Sequence, residues 1–179
     1  MKDQNFILEP FQKNNLTNDL NIKSIINRRS NLLFINYELI GKLSEILVPN
    51  KSELPTRRNN LWDNTCFEFF IAIKDLPQYW EFNLSPSGDW NVYHFKDYRV
   101  GMIEELTFKS LPLKTQNQSE LFQVSLECNL EKIINKSQSI EIAISSVIRH
   151  KNNELSYWAL THCESKADFH IRNSFILEL

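Results

Sequence analysis

Apolar and polar residues alternate with a period of two in several segments of this chain, and the most informative stretch is residues 61–95. Phe67, Phe69, Ile71 and Ile73 share one face of an extended segment, and Cys66, Glu68, Phe70 and Ala72 share the other. This predicts a strand buried on one side, or nearly on both. Asp75-Leu76-Pro77-Gln78 interrupts the run, after which Trp80, Phe82 and Leu84 alternate with Tyr79, Glu81 and Asn83. A turn through Ser85-Pro86-Ser87-Gly88-Asp89 leads into a third strand.

Matching the apolar faces sets the register. Ile71 then lies opposite Phe82 and Phe69 opposite Leu84, while in the second hairpin Leu84 faces Trp90 and Phe82 faces Val92. One sheet face carries Glu68, Glu81, Asn83, Asn91 and Tyr93 together. Carboxylates, amides and a phenol beside aromatic rings suit a neutral polyhydroxyl ligand, because they offer donors, acceptors and flat apolar cover for C–H groups. The expected partner is a small sugar or polyol. The alternative is a solvated face of an antiparallel sheet, apolar inside and polar outside, although Trp62, Phe70 and Tyr93 add aromatic surface that a solvated face does not need.

Elsewhere, Leu33, Ile35, Tyr37 and Leu39 mark a strand ending near Gly41, and residues 48–60 read as a loop. Residues 121–128 alternate again, and Asn129 is placed to cap a short helical turn, LEKIIN, with Glu131 in its first turn. Strands follow at 140–148 and 155–160, joined by Lys151-Asn152-Asn153, and a last strand at 174–179 is entered through the polar loop THCESKADFHIRN. About ten short strands and one short helix predict an all-β fold, an antiparallel β-sandwich of jelly-roll or immunoglobulin-like form. The 179 residues, 42% hydrophobic and without a shift in composition, fit one domain spanning 1–179.

A net charge of −2 gives no basic footprint, which argues against a nucleic-acid partner. No apolar run reaches the length of a bilayer span or a signal-peptide core, so no membrane partner and a cytoplasmic location are expected. Three widely spaced cysteines, Cys66, Cys128 and Cys163, fit buried thiols in a reducing compartment. With 3 glycines and neither phosphate-cradling motif, nucleotide chemistry has no support.

His162, Cys163, Asp168 and His170 carry metal-ligating atoms, but their spacing matches no closed zinc motif, so no metal is expected. Glu68 and Glu81 have the chemistry of a glycosidase acid pair, with Arg99 or Arg172 to neutralise charge. No Gly-x-Ser-x-Gly elbow is present. The main expectation is binding without catalysis.

The segments LWDNTCFEFFIAI, YWEFNLSPSGDWNVYHF and DFHIRNSFILEL resemble, in order, the DOMON-like superfamily, in particular its branch similar to type 9 carbohydrate-binding modules, and DOMON-like proteins of cyanobacteria. The resemblance implies a β-sandwich that binds a sugar in that branch and haem in the cytochrome branch. It implies Trp62 as a stacking tryptophan and Glu68 as an acceptor for sugar hydroxyls, with Trp158 or Phe169 as candidates for the second stacking aromatic. The expected binding set is Trp62, Glu68, Glu81, Asn83, Asn91, Tyr93, Trp158, Phe169 and His170, without a cofactor. Haem binding, with His162 or His170 and Met102 as axial ligands, is the second expectation. A protein-interaction domain pairing through a sheet edge, including a homodimer, is the third.

Overall fold

The structure is a computed structural model that describes residues 3–179. Among the described residues it contains β1 (Gln4–Pro10), β2 (Leu20–Arg29), β3 (Leu32–Gly41), β4 (Cys66–Ile73), β5 (Tyr79–Leu84) and β6 (Trp90–Phe95). These are followed by β7 (Ile103–Glu104), β8 (Lys114–Asn117), β9 (Leu121–Asn129), β10 (Ile140–Arg149), β11 (Leu155–Ala159) and β12 (Leu177–Glu178). All pairings between these strands are antiparallel, in the order β7-β6-β5-β4-β10-β11-β1-β2-β3-β9-β8, with β12 beside β10. The sheet curls into two layers, so the expected all-β sandwich is the fold observed. The helical regions among the described residues are short 3-10 turns, and the turn after Asn129 is a single one, closed by Ile134 N–H on Leu130 O at 2.8 Å.

Between the layers, Ile22, Ile26, Ile35 and Leu39 of one sheet meet Phe67, Phe69, Phe82 and Val92 of the other. The period-two pattern selects these side chains for the interior. Gly41 ends β3 where only glycine fits, since its φ is +127° and an added Cβ would lie 1.9 Å from the carbonyl oxygen of Asp19.

The first hairpin differs from the expected register by two residues. Ile71 pairs with Trp80 and Phe69 with Phe82. The chain reverses earlier than the proline suggests: Leu76 N–H closes on Ile73 O at 3.1 Å and Asp75 takes a left-handed φ of 65°. A slip of two keeps every side chain on its face, so the polar face survives. The second hairpin has the expected register, with Leu84 on Trp90 and Phe82 on Val92.

β1 and β2 are strands beyond those the sequence pattern predicts. β1 has only Leu8 fully buried, and such a half-covered strand gives little apolar alternation to read. The last strand is shorter than expected, because Ser174 Oγ donates to Ile171 O at 2.7 Å and holds a 3-10 turn at Arg172–Ser174.

β4 and β5 are buried on both faces. Their outer face carries a second, smaller core built on Phe70, Tyr79, Tyr93, Phe95 and Phe175, with Trp62 and Phe169 packed against it. The segments that bring in Trp62 and residues 167–175 cover this face. Glu68, Glu81, Asn83 and Asn91, 0–4% exposed, are therefore not a solvated surface.

Candidate functional site

A cleft of about 390 Å³ opens on the outer face of the β4–β5–β6 layer. Glu68 and Glu81 form its floor, and Trp62, Tyr157 and Phe169 contribute its aromatic walls. Asn60, in left-handed backbone with φ 59°, turns the chain into the 3-10 turn Leu61–Asp63 that carries Trp62. The Trp62 ring meets Tyr93 edge-on with centroids 5.7 Å apart.

Glu68 and Glu81 project from adjacent strands on the same face, Glu68 opposite Asn83 and Glu81 opposite Phe70. Asn83 Nδ2 donates to Glu81 Oε1 at 2.8 Å. Glu68 Oε1 finds no hydrogen-bond partner among the described residues. Burial, and then the charge of Glu81, holds the Glu68 carboxyl well above the ordinary carboxylate range. Burial raises Glu81 to about 7, against the opposing pull of Asn83 and Arg99. The floor thus holds a carboxylic acid beside a carboxyl that ionises near neutrality.

His170 inserts among Phe70, Phe95 and Tyr79, its ring centroid 5.2, 5.1 and 5.8 Å from theirs. Tyr79 Oη lies 2.7 Å from His170 Nδ1 and also accepts from the Arg99 N–H at 3.2 Å. The phenolic proton then points at Nδ1, which leaves the imidazole proton on Nε2. Burial lowers His170 to about 4, with Arg99 adding to the effect. The 3.9 Å approach of His170 Nε2 to Glu81 Oε2 consequently has the distance of an ion pair without the charge on histidine at pH 7.

At the rim, Arg99 occupies left-handed backbone with φ 53° on the tip of the β6–β7 hairpin. Its Nη2 meets Asp168 Oδ1 at 2.9 Å, and Tyr98 Oη donates to Asp168 Oδ2 at 2.6 Å. Val147 and Leu155 add apolar lining.

Five of the expected residues line this cleft: Trp62, Glu68, Glu81, Phe169 and His170. The other four do not. Asn83 is occupied with Glu81. Asn91 Nδ2 donates to Arg58 O, Asn59 Oδ1 and Tyr93 Oη, while its Oδ1 accepts from Arg57 and from Val92 N–H. Tyr93 Oη donates to Asn59 Oδ1 at 2.6 Å. Asn91 and Tyr93 therefore tether the loop leading to Trp62. Trp158 lies in the inner core, 2% exposed, with Nε1 donating to Ser156 Oγ at 3.0 Å.

Tyr157, its neighbour, faces the cleft instead, and the sequence reading missed it. Alternation in Leu155–Ala159 necessarily sends Tyr157 and Trp158 to opposite faces, and the one that lines the cleft is Tyr157. Arg172 is also away from the cleft, bound to Glu141 and Ile73 O.

The loop quartet does not converge. His162 Nε2 lies 2.9 Å from Glu9 O, Asp168 holds Arg99, and no cluster of three or more metal-ligating acids, histidines or cysteines occurs among the described residues. Haem fits poorly. His162 is turned to Glu9 O, and His170, although it lines the cleft with Met102, has one nitrogen on Tyr79 and the other facing the buried Glu81.

No protein-family model matches the sequence, and no curated protein matches it. Solved structures do resemble the fold. A Bacteroides uniformis protein assigned as carbohydrate-binding aligns with a TM-score of 0.67 at 8% identity, covering 96% of this chain and 83% of that one. A family 9 carbohydrate-binding module from Caldicellulosiruptor kristjanssonii in complex with cellotriose gives 0.54 at 11% identity, over 96% and 76%. One from the same organism in complex with glucose gives 0.50 at 11%, over 89% and 72%. At such identities the likeness is one of fold, a β-sandwich.

Proposed function

We propose that this chain is a non-catalytic binding module of the DOMON-like, type 9 kind, whose cleft takes a small sugar. The observation that carries the reading is the pair of carboxyls, Glu68 and Glu81, on the floor of an aromatic-walled cleft. Protonated Glu68 donates, ionised Glu81 accepts and His170 Nε2–H donates, which suits vicinal hydroxyls. Trp62, Tyr157 and Phe169 cover the C–H surfaces of a pyranose ring. The glucose and cellotriose held by the structurally similar modules support the same ligand class.

The test is a panel of mono- and disaccharides followed by thermal unfolding and tryptophan fluorescence, since a ligand of the native state raises the melting point. A saturable shift that is lost in Trp62→Ala supports the reading. No shift with any sugar overturns it.

A second reading rests on the paired carboxyls, one protonated beside one that ionises near neutrality, the combination that glycoside hydrolysis uses. Release of reducing ends from oligosaccharides, abolished by Glu68→Gln, would promote it; intact oligosaccharides after prolonged incubation would reject it.

A further inference from the structure

The cleft does not end at Tyr157. A second depression of about 360 Å³ lies beyond it, and the two share Leu155, Tyr157 and Ala167 as a common wall. The far side is lined by Phe11, Gln12, Asn14, Ser165 and Lys166.

The backbone explains why the two are neighbours. β1 pairs with β11 through Glu9 on Ala159 and Pro10 on Trp158, and the chain continues with Phe11 N–H donating to Tyr157 O at 2.8 Å. Opposed residues of an antiparallel pair project to one face, which sets Phe11 beside Tyr157. Aromatic rings thus flank the shared wall on both sides. Tyr157 meets Phe169 at 6.2 Å, and Phe11 meets His162 at 5.2 Å, both edge-on.

The two depressions differ in charge. Four acids line the first, Asp63, Glu68, Glu81 and Asp168. None lines the second, where Lys166 is the charged residue. Gln12, Asn14, Ser165 and Lys166 are exposed and present amide, hydroxyl and ammonium groups without a desolvation cost already incurred. A single sugar unit placed over the carboxyl floor leaves this second surface unused. A linked unit reaches it without a second loss of translational freedom.

We propose that the ligand is an extended neutral oligosaccharide that crosses Tyr157, with one terminal unit over Glu68 and Glu81 and the following units against Phe11, Gln12, Asn14 and Lys166. This deepens the sugar-binding reading and rests on it. Tyr157 then serves as a platform for both subsites, and the second subsite sets the preference for chain length.

Calorimetric titration of the whole chain tests this, with each monosaccharide of a panel compared with its trisaccharide: glucose against cello-, malto- and laminaritriose, and xylose against xylotriose. The expected result is a trisaccharide at least about tenfold tighter than its monosaccharide, a difference of about 1.4 kcal/mol. Gln12→Ala/Lys166→Ala should remove most of that advantage and leave the monosaccharide constant unchanged. Both positions are exposed, so the fold is retained, as far-UV circular dichroism would verify. Equal constants for monosaccharide and trisaccharide in every pair, or a trisaccharide advantage indifferent to the double substitution, would overturn the second subsite while leaving sugar binding intact. Failure of every sugar to bind would remove the sugar reading and this extension with it.

Discussion

Glu68 and Ser145 face each other across the β4–β10 ladder, and a buried side-chain oxygen of each, Glu68 Oε1 and Ser145 Oγ, has no hydrogen-bond partner among the described residues. Two unpartnered oxygens on opposed residues of a buried sheet face destabilise the native state there.

Ser145→Ala removes one of them. Since an unsatisfied buried polar group costs about 1–3 kcal/mol, the variant should unfold at higher urea concentration than the parent, by about 1 kcal/mol. A loss of stability would mean that the hydroxyl is satisfied in solution.

The carboxyl floor and His170 act on stability in opposite directions as pH rises. Glu68 and Glu81 titrate above their ordinary 4.5 in the native state, Glu81 at about 7. The native state holds their protons more tightly, so their contribution falls as pH rises from about 4.5 through 7. His170 titrates at about 4, below its ordinary 6.5, so its contribution grows between about 4 and 6.5. The parent should lose stability between pH 5 and 8. Glu68→Gln/Glu81→Gln should reverse the trend, gaining up to about 3 kcal/mol from pH 4 to 6.5 and staying level above. Chemical denaturation across that range is the measurement, and parallel curves would refute the assignment.

Asn91 ties Arg57, Arg58 and Asn59 to the sheet beside Tyr93. Asn91→Ala leaves several buried groups unpaired and should cost about 2–4 kcal/mol. Trp62 fluorescence should redden, because the loop carrying it is released. An unshifted emission maximum would show another anchor.

Adjacent residues of β11 should separate stability from binding. Trp158→Ala empties core volume and is expected to cost about 3–5 kcal/mol. Tyr157→Ala should change unfolding by about 1 kcal/mol or less and abolish sugar-dependent thermal shifts. If Tyr157→Ala were instead the severely destabilised variant, the face assignment of β11 would be reversed.

What the sequence made legible follows from alternation. Period two identified β3, β4, β5, β9 and β10 and put Glu68 and Glu81 on one face, because any even slip preserves faces. The same tolerance hid the two-residue error in the first hairpin: apolar matching cannot tell Phe69 on Leu84 from Phe69 on Phe82 when both partners are apolar. Within a strand of known faces, which face is the core depends on what packs outside it. The outer face of β4 and β5 is covered by segments distant in sequence, including Phe169 and Phe175. Nothing local announces that cover, and it is what makes Asn91 and Tyr93 tethers rather than ligand contacts.

The seam between the layers is thin. Apart from the hydrogen bond that Phe11 adds, β1 joins β11 over only Glu9 and Pro10, and Pro10 has no N–H to give. The curled sheet thus has one narrow gusset along its length, where local opening should cost far less than global unfolding. The Phe11 amide, which crosses that gusset to Tyr157, should exchange with deuterium well before the amides of β4. A molecule lying over Phe11 and Tyr157 would act as a clasp on the fold, and its arrival would register as slowed exchange at that single amide.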